Sequence, residues 1–327
     1  NKNKIYNPET DKIGFIEKPI TIPIDTPFEF PVFKEVPEFK ILKASVVKSG
    51  HIIFGFEGNA DEEEININLA TTKPINFKSV VNFEKEKDTI NYWYTPFESD
   101  SLVFKTSAKK FEKNFTVKTR NKEIDSLKVT PNVGKTLHLN DTLKLITNTP
   151  IINVDTTKIK LSKKKDSIYE VVNIKSILSK SKNELLVNFE KENKSIYKLE
   201  VLPKSITDIY TTNNDSINIT FNRLEPEAYG NLIIGINSNL DENFIVEIID
   251  DKSKIVSKKS ILKTETAVFQ NLRPGIYYAR VIVDSNKNGK WDTGNFLKTI
   301  QPEVIRFNNK QIDLRANWEV SETFTVN

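Results

Sequence analysis

Oxygen-bearing side chains recur at every second position of one loop near the end of the sequence. Positions 1, 3, 5, 7 and 9 of this loop are Asp284, Asn286, Asn288, Lys290 and Asp292. This spacing is typical of calcium loops, in which position 7 contributes its backbone carbonyl and a glycine at position 6, here Gly289, permits the sharp bend. The sequence therefore predicts a calcium site.

The predicted calcium site is incomplete at position 12, where Asn295 replaces the bidentate Glu that such loops supply. With only two carboxylates, we expect weak binding, with a dissociation constant of about 0.1 to 1 mM. The sequence leaves an alternative open. In that alternative, the segment is a long hairpin connection whose Asn and Asp side chains bond their own backbone.

Residues for nucleophilic or redox chemistry are scarce. There is no Cys, which excludes disulfides, thiolate metal sites and cysteine nucleophiles. His51 and His138 lie in strand-like segments without an evident Ser partner, so no catalytic triad can be assembled. We expect the protein not to be an enzyme. A hydrolase remains a remote alternative, which two facing carboxylates in a cleft would revive.

An aromatic run offers a second candidate contact. Tyr92, Trp93 and Tyr94 are consecutive, and Phe97 follows. Because alternate side chains of a strand point to opposite faces, a core-facing Trp93 would turn both tyrosines away from the core. This pattern predicts either an exposed aromatic patch or ordinary packing in a sandwich or between domains.

The elements that must position these residues are short strands. Apolar residues alternate with polar ones in segments bounded by Asn, Asp, Gly, Pro and Ser. The clearest alternation is that of residues 312–320, which predicts a strand with one buried face and one exposed face. Further examples are Phe28, Phe30 and Val32; Ile52, Phe54 and Phe56; Ile65, Ile67 and Leu69; Leu185, Val187 and Phe189; and Ile217, Ile219 and Phe221. The sequence predicts an all-β fold.

Length and charge limit the organisation and the partners. The 327 residues exceed one ordinary domain, and 48 basic residues are interleaved with 44 acidic ones. Nucleic acid is therefore not expected as a partner, and no run is apolar enough for a membrane helix. The sequence lacks Met and starts at Asn1, so we expect that an N-terminal part precedes it.

An internal repeat links the two ends of the sequence. Residues 1–7 (NKNKIYN) are similar to residues 286–292 (NKNGKWD), and each run is followed by Gly and Phe. The repeat predicts two copies of one β module, the first represented by its last third. The first copy offers Asn1, Asn3 and Asn7 as a weaker candidate cation loop.

Several motifs resemble known β modules. Residues 269–277 (FQNLRPGIY) with 283–294 resemble the end of a prealbumin-like or carboxypeptidase-regulatory-like sandwich. Residues 149–151 (TPI), 197–199 (YKL) and 202–208 (LPKSITD) resemble the bacterial Ig-like domain of surface-layer proteins. Together with 7–15 (NPETDKIGF) and 33–35 (FKE), the pattern is similar to a family of Ig-like-domain lipoproteins from Bacteroidota.

The resemblance implies an elongated series of tandem Ig-like and prealbumin-like sandwiches. The expected domains are a partial module at 1–35, Ig-like sandwiches at 36–125 and 126–225, and a prealbumin-like sandwich at 226–327. It further implies a lipid-anchored protein of the outer membrane, on the cell surface or the periplasmic face, whose anchor lies outside this sequence. The expected function is that of a non-enzymatic scaffold subunit in an outer-membrane complex, for β-barrel assembly or type 9 secretion.

The expected partners are outer-membrane proteins or other lipoproteins. The alternative function is that of a surface adhesin or carbohydrate-binding protein, which would use exposed aromatics such as Tyr92 and Tyr94. A glycan array on which Ala substitutions of both abolish binding would favour that alternative.

Seven sites are similar to the O-glycosylation acceptor of Bacteroidota, in which Asp precedes Ser or Thr and an aliphatic residue or Thr follows. The acceptor residues are Thr89, Ser101, Ser126, Thr142, Thr156, Ser167 and Ser216. Average composition would give roughly one such site. The resemblance implies a glycoprotein. The alternative is that Asp-Ser and Asp-Thr pairs form turns and the aliphatic residue begins the next strand.

Overall fold

The computed structural model describes residues 5–7, 10–17, 19–21, 30–84, 87–108, 110–119, 123–262 and 265–326, with only the backbone described at 309. Strands dominate these residues, and short 3-10 turns are the helical elements. The predicted all-β fold class is confirmed. The chain forms two compact units, one of residues 38–224 and one that combines 1–37 with 225–327. In the described ranges, no helix has the length and apolar character needed to cross a bilayer.

The first sandwich belongs to the unit of residues 38–224. It packs a sheet of order β1-β2-β5-β4 against one of order β3-β6-β7. The rings of Phe54 and Phe104 meet edge to face in its core, with centroids 5.2 Å apart. Its strands are β1 (Lys40–Lys48), β2 (His51–Glu57), β3 (Asn66–Leu69), β4 (Ser79–Glu84), β5 (Thr89–Tyr94), β6 (Ser101–Ala108) and β7 (Phe111–Lys118), and Glu62–Glu64 forms a 3-10 turn.

The second sandwich completes the same unit. Sheets of order β12-β11-β15-β17 and β13-β14-β9-β8 enclose a core in which Tyr197 stacks on Phe221, and β10 pairs with β16. A 3-10 turn covers Thr156–Lys158. The strands are β8 (Val129–Pro131), β9 (Leu143–Thr147), β10 (Ile151–Val154), β11 (Ile159–Lys165), β12 (Ile168–Val172), β13 (Ile174–Leu178), β14 (Glu184–Phe189), β15 (Ser195–Val201), β16 (Ile206–Asp208) and β17 (Ile217–Arg223).

The third sandwich lies in the other unit. Sheets of order β21-β18-β24 and β20-β19-β22-β23 share one core, and β24 runs parallel to β18. A 3-10 turn, Pro226–Ala228, precedes it. The strands are β18 (Gly230–Ser238), β19 (Asn243–Asp250), β20 (Ile255–Ile261), β21 (Thr266–Leu272), β22 (Gly275–Asp284), β23 (Ile305–Leu314) and β24 (Glu319–Val326).

Most of the predicted strands form, with two exceptions. In the first, Phe30 and Val32 are exposed and lie in no strand, while Phe28 lies outside the described residues. In the second, the alternation over 312–320 is broken by a turn. β23 ends at Leu314 and β24 begins at Glu319, so the prediction of one continuous strand was wrong. Asn317 adopts the left-handed region with φ of 59°, and the N–H of Trp318 donates to the carbonyl of Arg315. Trp318 is consequently exposed, because the turn ends the alternation that would have buried it.

Candidate functional site

Asp284, the last residue of β22, closes the first turn of the predicted calcium loop. Its buried carboxylate accepts the N–H of Asn288 through Oδ1 at 3.0 Å and the N–H of Gly289 through Oδ2 at 2.9 Å. Backbone donors to a carboxylate form charge-assisted hydrogen bonds, which are stronger than neutral ones. Gly289 has a φ of +74°, so the bend predicted for position 6 is present and uses the conformational freedom of glycine.

Asp292 gathers the side-chain amides of the same loop. Its Oδ2 accepts from Nδ2 of Asn286 at 2.6 Å and from Nδ2 of Asn288 at 2.5 Å. Oδ1 of Asn288 accepts the N–H of Lys290 at 2.8 Å. These are internal hydrogen bonds of the kind that the hairpin alternative predicts. The oxygen atoms involved are also those that a calcium ion would require.

Glu303, which the sequence reasoning missed, holds the two ends of the loop together. Its Oε1 accepts the N–H of Ser285 at 2.9 Å, and its Oε2 accepts the N–H of Asp292 at 3.0 Å. Burial raises the pKa of Glu303, backbone N–H donors oppose this shift, and the charge of Asp292 adds to it. Within the described ranges, no three His, Cys, Asp or Glu side chains are placed to hold a metal ion together.

Asn295, at position 12, takes part in a separate turn. It forms an isolated β-bridge with Ile300, and its Oδ1 accepts the N–H of Lys298 at 2.9 Å. The bidentate ligand that a calcium loop normally carries at this position therefore has no counterpart there. Glu303 was not found by reading the loop spacing because it lies 11 residues beyond Asp292.

The N-terminal segment contacts the region that follows the loop, within the same compact unit. The hydroxyl of Thr293 donates to the carbonyl of Lys34 at 2.6 Å, and Nε2 of Gln301 donates to the carbonyl of Phe15 at 2.9 Å. The ring of Phe15 meets that of Phe296 edge to face. Of the candidate ligands in the first copy, Asn1 and Asn3 lie outside the described residues. The N–H of Asn7 donates to Asp11.

The aromatic run is buried on both faces of β5. Tyr92 and Tyr94 are 2% and 5% exposed and belong to the core of the first sandwich. Trp93 points the other way and packs with Val80 and with Ile209 of the second sandwich. The prediction of an exposed patch was wrong, because the outer face of β5 is covered by the second sandwich. Packing between sandwiches, the other predicted outcome, is what forms.

His51 belongs to this contact between the first two sandwiches. Its ring stacks on Trp93 with centroids 3.6 Å apart, and its Nε2 lies 2.8 Å from Oδ1 of Asn91. Burial lowers the pKa of His51, while the hydrogen bond to Asn91 opposes the shift. Nearby, Nδ2 of Asn82 donates to the carbonyl of Ser181 at 3.1 Å. His51 therefore has structural partners on both its ring face and its ring nitrogen.

The predicted glycosylation sites all precede or begin regular elements. Thr89 and Ser101 are the first residues of β5 and β6, and Thr156 opens a 3-10 turn. None of the seven is buried. The four exposed sites are Ser126, Thr156, Ser167 and Ser216, and the three half-buried sites are Thr89, Ser101 and Thr142. These positions agree with an accessible acceptor and with a turn that begins a strand, so both interpretations stand.

Comparison with known proteins finds likeness in solved structures alone. No family model and no curated protein matches the chain. Domains 5-6 of the S-layer protein SbsC are 9% identical with a TM-score of 0.24, over 58% of this chain and 99% of that one. The Bacillus anthracis TIE protein is 11% identical with a TM-score of 0.23, over 88% of this chain and 58% of that one. A multidomain titin fragment is 10% identical with a TM-score of 0.20, over 86% and 97%.

Proposed function

We propose that this protein is a non-enzymatic scaffold that acts through protein contacts. The observation that supports this proposal is the use made of the buried ionisable groups. Apart from tyrosines, the buried ionisable side chains in the described ranges are His51, Asp208, Arg223, Glu247 and Asp284. Each of them is held by a backbone group or by a side-chain partner. Groups committed to such bonds stabilise loops and strands, whereas catalysis needs reactive groups directed at a substrate.

The cellular setting is proposed from the sequence resemblance. We propose an accessory lipoprotein subunit of a Bacteroidota outer-membrane complex, of the β-barrel assembly or type 9 secretion kind. Outer-membrane proteins or other lipoproteins would be its partners, and a lipid anchor would attach it to the membrane. Tyr92 and Tyr94, the aromatics named as examples for the carbohydrate-binding alternative, are buried and therefore do not support it.

Affinity purification tests the scaffold proposal. The protein, tagged at its C-terminus, is recovered from outer membranes in mild detergent, and an unrelated lipoprotein with the same tag is the control. We expect the same outer-membrane proteins to copurify in a fixed ratio with this protein and not with the control. Recovery of the tagged protein alone would argue against a complex subunit.

We also propose that the loop between β22 and β23 binds calcium weakly, through Asp284, Asn286, Asn288, the carbonyl of Lys290 and Asp292. The donor set fits, because all five positions offer oxygen, which calcium prefers. Rotation of the two Asn amides would turn their oxygens toward Asp292. Calcium at ten times its dissociation constant would add about 1.4 kcal/mol to the stability of the unit that binds it.

Chemical unfolding in about 5 mM calcium and in chelator tests the calcium proposal. We expect calcium to increase the free energy of unfolding of the unaltered protein and not that of Asp292→Ala. The exposed Asp313→Ala variant is the matched control and should retain this increase. Equal unfolding curves in calcium and in chelator would leave the loop as a hydrogen-bonded connection.

A further inference from the structure

Strands β12 and β13 follow each other in the chain and are edge strands of the two sheets of the second sandwich. Each is the last strand of its sheet, and only Asn173 separates them. β12 pairs with β11 alone and β13 with β14 alone among the described strands. The outer side of residues 168–178, here called the 168–178 edge, therefore presents backbone donors and acceptors that no described strand uses.

Four apolar side chains of this edge are exposed, beside the exposed charged residues Glu170 on β12 and Lys175 on β13. Ile168 and Val171 are 63% and 77% exposed, and Tyr169 and Ile177 are also exposed. Natural edges are usually protected by Lys, Pro or a bulge on the edge strand itself. β12 has no Lys and no Pro, and its register with β11 is unbroken. It thus has the regular geometry that an added strand needs.

The surroundings of the edge are strongly basic. Residues 160–180 contain six Lys and two acidic residues, a net charge of +4 that equals the net charge of the whole chain. Lys163, Lys165 and Lys180 form ion pairs with Glu192, Glu170 and Glu63. For the remaining three, Lys160, Lys164 and Lys175, the described part of the chain shows no ion-pair partner, and all three are exposed.

The lysines lie within electrostatic reach of an added strand. Lys164 on β11 is directly opposite Tyr169 on β12. A strand beside β12 would lie two strand spacings, about 10 Å, from β11. This distance is comparable to the Debye length at about 0.1 M salt, and the long lysine side chain reduces it further.

We propose that the 168–178 edge binds an acidic peptide segment in extended conformation, which adds as a strand beside β12. Backbone hydrogen bonds would provide the pairing, as in other cases of strand addition, and the lysines would select acidic sequences. A second copy of this chain fits the edge less well, because it would bring two lysine-rich surfaces together. The proposal goes beyond the scaffold function and does not depend on the cellular location.

Fluorescence anisotropy tests the proposal with the full chain. The probe is a labelled ten-residue peptide of alternating glutamate and valine. There are two comparison peptides. One carries lysine in place of glutamate, and the other carries N-methyl groups on every second backbone amide. We expect both comparison peptides to bind at least about tenfold more weakly than the acidic probe. Raising the salt from about 50 to about 500 mM should also weaken binding of the acidic probe.

Protein variants locate the interaction. Lys164→Glu combined with Lys175→Glu should weaken binding of the acidic probe at least about tenfold. Lys105→Glu combined with Lys118→Glu, at exposed positions of β6 and β7 in the first sandwich, is the control with the same change of net charge and should bind normally. Thermal unfolding of each variant checks that the fold is retained.

Amide hydrogen exchange provides the second measurement. Bound acidic peptide should slow exchange within Ile168–Val172. Equal binding of the N-methylated peptide, or protection confined to another segment, would overturn the proposal. Dimerisation that protects this edge without peptide would also overturn it and identify a second copy as the occupant. If no outer-membrane proteins copurified with the tagged protein, the scaffold proposal would fail, but the results of these peptide-binding measurements would not change.

Discussion

His51, which stacks on Trp93, should make the stability of the contact between the first two sandwiches depend on pH. Burial lowers the pKa of His51 in the folded state below the value of about 6.5 in an unfolded chain. Between these two pKa values the unfolded state binds more protons, so stability falls as the pH decreases. The contribution is complete above about pH 6.5 and declines until the lowered pKa is reached. Asp125 and Glu84 favour the protonated form, while Lys48 opposes it.

Urea unfolding between about pH 7.5 and 5 measures this effect. We expect His51→Gln to remove part of the loss of stability at acid pH, because glutamine has no proton to gain in this range. His138→Gln, at the half-buried second histidine, controls for general effects of histidine replacement. An identical pH dependence in the unaltered protein and in His51→Gln would contradict the prediction.

Gly50, in the turn between β1 and β2, is a second sensitive position in the same contact. It has a φ of +77°, and a Cβ there would lie 2.5 Å from the ring of Tyr210 and 2.7 Å from the carbonyl oxygen of Tyr94. We expect Gly50→Ala to lower the free energy of unfolding by about 2 to 4 kcal/mol, through backbone strain and overpacking.

The matched control for Gly50 is Gly55, in β2, where an added Cβ meets no atom within 4 Å. Gly55→Ala should be neutral or stabilising by up to about 1 kcal/mol. Chemical unfolding of both variants measures the two changes in the free energy of unfolding. Equal effects of the two substitutions would mean that the close approach to Tyr210 does not matter for stability.

At the residue scale, local spacing predicted the candidate loop better than it predicted partners from other segments. The every-second-residue pattern from Asp284 to Asp292 correctly indicated side chains that meet in one loop. The role of Glu303 in this loop was not predicted, because a further turn separates Glu303 from the loop in the sequence. The burial of Tyr92 and Trp93 together was one of two outcomes that the sequence left open, since strand alternation cannot show whether a second sandwich covers the outer face.

At the scale of elements, the loop between β22 and β23 should depend on Asp284 for its stability. Its carboxylate accepts two backbone N–H groups while buried, and each hydrogen bond to a charged group contributes about 1.5 to 3 kcal/mol. We expect Asp284→Ala, measured in chelator, to lower the free energy of unfolding by about 2 to 4 kcal/mol, since such contributions are not additive. The exposed control Asp313→Ala should change it by less than about 0.5 kcal/mol.

Elements were predictable wherever alternation and turn chemistry agreed. Ile52 and Phe54 in β2 and Leu185 and Val187 in β14 are buried, as their alternation predicted. The segment 312–320 shows the opposite case, because alternation continued through a turn that Asn317 makes possible. Alternation reports which face is apolar, whereas the end of a strand depends on backbone conformation.

At the scale of the whole molecule, composition and short-period alternation were sufficient to predict the all-β class, while the boundaries of the four predicted domains stay a prediction. Residues 1–37 and 225–327 form one compact unit. The internal repeat related these two regions as similar modules, but sequence similarity between segments does not reveal that they are in contact. Contacts such as Thr293 with Lys34 involve backbone groups, whose pairing carries no sequence pattern.

The predicted glycosylation concerns the mass of the whole protein. The four exposed acceptors are accessible in the folded state, whereas the hydroxyl of half-buried Thr89 already donates to the carbonyl of Lys87. In a Bacteroidota host we expect an intact mass above the 37.5 kDa of the chain itself, by multiples of one glycan.

Removing the four exposed predicted acceptors together should eliminate most of this excess mass. The variant combines Ser126→Ala, Thr156→Ala, Ser167→Ala and Ser216→Ala. Alanine at Thr89, Ser101 and Thr142 is the matched control and should remove less. Because turns form without glycans, a mass equal to that of the bare chain in this host would leave turn formation as the sole role of the Asp-Ser and Asp-Thr pairs.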